Sequence, residues 1–186
     1  NKSFSGGVDN YISKFDKNGN FIWATYFGGA KWDGWDFGCF VKICGGITTF
    51  SNDDILFYFT TQSNDLKTKV PFIDKFCGGS EDAYICLLSK DGELKNSTFF
   101  GGYQNEWASD LVVIDDNSFA IAGKTNSYNL PIKTNFQTSI AGKDDGFISV
   151  FKFKEIQKDI NAPYVQSTKD SCGILKEIIV EDTGAV

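Results

Sequence analysis

Hydrophobic and polar residues alternate in short runs along most of this chain, and the runs recur in a fixed order. Asn10–Phe15 sets Tyr11, Ser13 and Phe15 against Ile12 and Lys14, the period of two that predicts a strand. Asp16-Lys17-Asn18-Gly19-Asn20 follows, and its Asn-Gly pair predicts a tight hairpin because both residues tolerate positive φ. Phe21–Phe27 is the predicted return strand, ended by Gly28-Gly29. Residues 37–44 and Ile55–Thr61 read as two further apolar strands, joined through Gly45-Gly46 and the Ser51-Asn52-Asp53-Asp54 turn. Residues 62–76 carry Pro71 and little periodicity, so they read as a long excursion.

The chain then says much of this again. Setting Asp9 against Asp82 aligns Gly6 with Gly79, Tyr11-Ile12 with Tyr84-Ile85, and Lys17-Asn18-Gly19 with Lys90-Asp91-Gly92. It also aligns Thr25-Tyr26-Phe27-Gly28-Gly29 with Thr98-Phe99-Phe100-Gly101-Gly102. A third copy opens at Gly142, with Asp145, Phe147 and Ile148 in register. The second copy predicts strands at 83–89, Leu94–Phe100, 109–114 and 119–124, and the third supplies one at 146–153. Short antiparallel strands, four to a repeat with no helix between them, are the content of a propeller blade.

In order, Gly-x-x-Asp-x-Tyr/Phe-Ile, Asp/Lys-x-Gly, Thr-Tyr/Phe-Phe-Gly-Gly, and the Thr-x-Ser and Leu/Val-Pro of the excursions resemble the SBBP family of β-propeller repeats, over residues 6–153. The resemblance implies an all-β fold of four-stranded antiparallel blades, in large, often multidomain proteins that bacteria secrete or display on the cell surface. It carries no established catalytic set to transfer. It also implies a phasing in which 37–44 and 109–114 are inner strands and Phe21–Phe27 and Leu94–Phe100 outer ones. The chain would then hold two outer strands, one full blade and most of another. Since a closed ring takes at least about four blades, the expectation is an open arc unless other chains complete it.

The domain plan that follows is an incomplete propeller over 1–153, with repeats starting near 6, 79 and 142, and a linker over 154–164. Residues 165–186 read as the truncated start of a further, β-sandwich-like domain, although 174–180 also fits a helical turn. The chain has no Met, even at position 1, and no signal-peptide pattern, so it reads as an internal piece or a trimmed segment.

Composition sharpens the class without adding chemistry. Of 186 residues 41% are hydrophobic and 23% charged, a globular balance, and no apolar run approaches the ~20 residues of a membrane span. Eighteen Phe, seven Tyr and four Trp favour pleated sheets, and nineteen Gly supply their turns. A formal charge of −6 argues against nucleic acid, which needs a dense cationic face. With no His there is no Ser-His-Asp triad and no mixed Cys/His zinc site. The five cysteines, at 39, 44, 77, 86 and 172, match no zinc spacing and read mostly as buried free thiols. Cys39 with Cys44, or Cys77 with Cys86, would bridge only if strand pairing brought their Cα atoms to ~6 Å.

Candidate sites are few, and each has a structural alternative. Asp9, Asp82 and Asp145 share one repeat position, as do Gly6, Gly79 and Gly142, and Tyr11, Tyr84 and Phe147. Those acids are either calcium or substrate carboxylates, or acceptors for backbone N–H groups in the turn before a strand; recurrence in every copy favours the second. The turns Asn52-Asp53-Asp54 and Asp115-Asp116-Asn117 make Ca²⁺ the one cofactor to consider, though neither has the spacing of an EF-hand loop. Trp32, Asp33, Trp35 and Asp36 form the candidate ligand loop, with the two indoles as a platform for a sugar ring. Trp35 and Trp107, in equivalent places, also read as packing residues. Paired-carboxylate hydrolysis is formally open to Asp33, Asp36, Glu106 and Asp110, and nothing beyond position selects them.

The expected function is a non-enzymatic scaffold or binding module of a large surface protein, with no catalytic residues. Its partners would be neighbouring blades or domains, a glycan or a surface protein. The alternative is a carbohydrate-binding or carbohydrate-active propeller working through the Trp32/Asp33/Asp36 loop.

Overall fold

The computed structural model describes residues 5–34, 45–130, 137 and 139–153, and the backbone of Val165–Lys169 and Leu175–Val180. Among these residues the chain is all-β, in antiparallel sheets of two to four strands. Strands β1 (Asn10–Phe15) and β2 (Phe21–Phe27) pair as a hairpin. Strands β3 (Gly45–Thr49), β4 (Ile55–Thr61), β5 (Asp82–Leu88) and β6 (Leu94–Phe100) form one meander in that order. Strands β7 (Glu106–Asp115), β8 (Ser118–Thr125) and β9 (Asp145–Lys152) form a second. A separate ladder joins β10 (Val165–Lys169) to β11 (Leu175–Val180), so the strand alternative holds for that segment.

The hairpin turns show how the repeat is written locally. In the first, Asp16 accepts backbone bonds from Asn18 and Asn20, both 2.8 Å, and only Gly19 takes a positive φ, +82°. In the second, Ser89 Oγ accepts from Asp91 and Glu93, and Gly92 takes φ +87°. Each is a longer turn closed by one left-handed glycine, rather than the two-residue Asn-Gly turn that the sequence suggested. The ladder slips at the same repeat position in both copies, between Lys14 and Phe15 and between Leu87 and Leu88, as that extra residue requires.

One described strand contains residues that the hydrophobic pattern assigned to a connection. The partner of β4 is Gly45–Thr49, so Gly45 and Gly46 lie within a strand instead of joining two. A Cβ on Gly46 would sit 2.7 Å from the Tyr58 ring, and one on Gly45 would sit 2.9 Å from the Tyr58 carbonyl. Bare backbone is what fits against that ring. Residues 37–44 lie outside the described residues.

Sheets lean on one another through the phenylalanine before the Gly-Gly that ends each hairpin's return strand. Phe27 meets Phe57 at 5.0 Å between ring centroids; its repeat equivalent Phe100 meets Phe147 at 5.2 Å and Phe151 at 5.4 Å. The middle sheet is covered on both faces, and every residue of β4 and β5 is buried. That explains why Ile85-Cys86-Leu87-Leu88 is continuously apolar while β9, covered on one face, alternates. Burying rings of this size contributes about 2 kcal/mol each. Contacts at hairpin tips add to the stacking: Lys14 Nζ and the Trp23 indole N–H both donate to the Lys90 carbonyl.

Candidate functional site

The repeated aspartates precede or open their strands, and each closes the loop ahead of it. Asp9 Oδ2 accepts from Ser5 N at 2.7 Å, Asp82 Oδ2 from Cys77 N at 2.8 Å, and Asp145 Oδ2 from Ala141 N at 2.7 Å. Of the two roles the sequence left open, this geometry is that of the backbone acceptor.

A second acid, which the sequence offered only as a hydrolytic or ligand carboxylate, joins each of the first two aspartates. Asp33 sits where an isolated bridge meets the end of β4, and Glu106 opens β7. Thr61 Oγ1 donates to Asp33 and Thr125 Oγ1 to Glu106, both at 2.5 Å. Gly29 N donates to Asp33 at 2.8 Å and Gly102 N to Glu106 at 2.7 Å. Ser63 and Ser127 complete the sets, each hydrogen-bonding its acid. Those serines in turn accept from Lys31 N and Gln104 N, and Asp65 and Asn129 accept from Ala30 N and Tyr103 N. The Thr-x-Ser motif, visible in the sequence, is therefore the donor half of an acid-hydroxyl lock.

In the second copy the two acids also touch each other. A Cβ on Gly101 would lie 2.3 Å from Asp82 Oδ1 and 2.7 Å from Glu106 Oε2, so glycine is required where both oxygens converge. Asp82 Oδ1 is buried and meets no donor from any other residue, and the Glu106 carboxyl converges on it, so a proton placed between the two groups is what would satisfy both. Burial, reinforced by the Glu106 charge, pushes the Asp82 carboxyl up to about 8. Glu106 is also raised by burial, but its hydroxyl and amide donors, and Asp82 itself, favour its ionised form. Asp82 thus holds the proton and Glu106 the charge. In the first copy Asp33, one methylene shorter, is raised first by burial and, to a smaller degree, by the charge of Asp9.

Of the four candidate ligand residues, the structure describes two. Trp32 is half-buried, its indole ring packed where a Cβ on Gly7 would lie 2.6 Å away, and Asp33 is buried in the lock. Trp35 and Asp36 lie outside the described residues, as do Cys39, Cys44 and Cys172. Trp107 donates its indole N–H to Glu81 and carries Lys124 Nζ 4.1 Å above its ring. The acidic turns are occupied by the chain's own donors: Asp54 by Lys95 and Asn52, Asp116 by Ser51, and Asp115 by Asn117 N. Among the described residues no three His, Cys, Asp or Glu side chains are grouped to hold a metal. Cys77 and Cys86 are not bridged to each other, and burial raises the Cys86 thiol well above its usual range.

A cleft of about 370 Å³ lies between β1 and β3–β4, lined by residues such as Tyr11, Ile12, Ile47 and Tyr58, with no charged side chain in its lining. No protein-family model and no curated protein matches this chain.

Proposed function

We propose that the chain is a non-catalytic scaffold: an open arc of a β-propeller, similar to the SBBP repeats, in a large secreted or surface-exposed bacterial protein. Its loops would serve adhesion or hold neighbouring domains apart, and the strands from Val165 onward would begin the next domain. The observation that carries this reading is the fate of the buried acids. Asp33, Asp82 and Glu106, the groups best placed for chemistry, recur by repeat and are engaged by hydroxyls and backbone amides of the chain itself. A side chain so engaged holds strands together and is not free to attack a substrate or ligate an ion. The secreted or surface location rests on the family resemblance alone.

The test is a glycan array together with a panel of glycoside substrates, run on the chain and on Trp32→Ala. The scaffold reading expects no turnover and no glycan signal that depends on Trp32. Saturable binding lost in that variant, or turnover lost in Asp33→Asn, would replace it with the carbohydrate reading. A calcium titration belongs beside it: the melting temperature is expected to be the same in chelator and in millimolar Ca²⁺.

A further inference from the structure

Among the described residues, the three stacked sheets leave two faces with no sheet against them, and the repeat shows what each resembles. On the β7–β9 sheet, Ile148 is 80% and Val150 66% exposed; their equivalents on the middle sheet, Ile85 and Leu87, are 2% and 8% exposed because that face is covered. Cross-strand neighbours Ala120, Ala122 and Val112 extend the same free face. At the other end of the stack, Tyr11 is 57% exposed on the β1–β2 hairpin, and its equivalent Tyr84 is 2% exposed. Tyr26 and the Phe15–Phe21 pair stand on that same side.

These faces are the two halves of one interface already present twice in the stack. The face carrying Ile148 corresponds to the side of the middle sheet that receives Phe147 and Phe151 of its follower. The face carrying Tyr11 corresponds to the side of the middle sheet that rests on Phe27 of its predecessor. Grouped exposed apolar side chains of this kind mark contact surfaces.

We propose that a second copy of this chain covers them, the Tyr11 face of one docking head to tail on the Ile148 face of another. Such a heterologous contact either closes into a ring or runs on as a filament. It continues the sheet-on-sheet packing of each copy and is independent of what the loops bind.

Sedimentation velocity across a concentration series tests it. The chain is expected to associate, and Ile148→Lys and Tyr11→Lys are each expected to weaken association by at least about tenfold, since either removes one half of the contact. An equimolar mixture of the two variants keeps one intact pair of faces and is expected to form a 1:1 dimer that grows no further. Both sites are exposed, so circular dichroism and urea midpoints near those of the parent chain show that folding is retained. A parent chain that stays monomeric, variants that self-associate like the parent, or a mixture that stays monomeric would each overturn the proposal. None of these outcomes bears on the glycan test, and a positive glycan test leaves head-to-tail association standing.

Discussion

Replacing Asp82 by Asn removes the proton-holding member of the buried pair and puts a neutral N–H donor in its place. In the parent chain the folded state keeps the Asp82 proton up to about pH 8, while the unfolded chain releases it near its ordinary value of 3.8. Folding therefore takes up a proton between those limits, and stability falls as pH rises through that window. One proton is worth about 1.4 kcal/mol per pH unit, so roughly 3 kcal/mol is lost between about pH 5 and about pH 7. Above about pH 8 the Asp82 contribution no longer changes. Glu106 and Asp33, both raised by burial, act with the same sign. In Asp82→Asn the amide can still accept from Cys77 N and donate to Glu106, so the Asp82 share of the slope disappears whatever constant offset the substitution brings. Urea midpoints with their m-values, taken at unit pH steps across the window, give both curves. Parallel curves for parent and variant would show that no proton is held there and would sink the assignment.

Gly101→Ala is expected to lose about 3 kcal/mol or more in urea unfolding, because the new methyl drives into Asp82 Oδ1 and Glu106 Oε2. Gly19→Ala is the control: it meets nothing within 4 Å, so only its φ of +82° is penalised, by about 1 kcal/mol. Thr61→Val keeps the shape but removes a donor from buried Asp33 and is expected to cost about 1–3 kcal/mol in the same assay. Tyr84→Phe loses the hydroxyl bond to the Lys67 carbonyl and is expected to cost about 1 kcal/mol, with the melting curve otherwise unchanged. Asp16 and Asp115, held below the usual carboxylate range first by side-chain bonds from Asn20 and Ser118, act in the opposite sense from Asp82. Their contribution is lost as pH falls below the carboxylate range, so Asp16→Asn is expected to flatten the acid limb of the stability curve.

Period and turn chemistry carried much of the fold. Four strands, Asn10–Phe15, Phe21–Phe27, Ile55–Thr61 and Leu94–Phe100, begin and end where alternation and the flanking Gly or polar turns place them. Gly45–Thr49 was missed because glycine reads as a turn residue, and only the Tyr58 ring across the ladder explains why it is a strand residue here. The bonding of Asp9, Asp82 and Asp145 was legible, since identical acids in every copy point to a shared backbone task. The partnership of Glu106 with Thr125 and Ser127 was not, because it links positions far apart in sequence and the acid changes from Asp33 to Glu106 between copies. The shared proton was hidden for a plainer reason: burial and convergence on Gly101 create it, and neither is written in residue types.

The middle sheet, covered on both sides, sets a condition on how this chain can be shortened or lengthened. Removing residues 5–34 would strip Phe27 from Phe57 and Asp33 from Thr61 and Ser63 in one cut, baring an aromatic surface and stranding hydroxyls together. Growth or loss by fractions of a repeat would carry the same double penalty, so the natural unit of change is a whole sheet with its acid and its Thr-x-Ser.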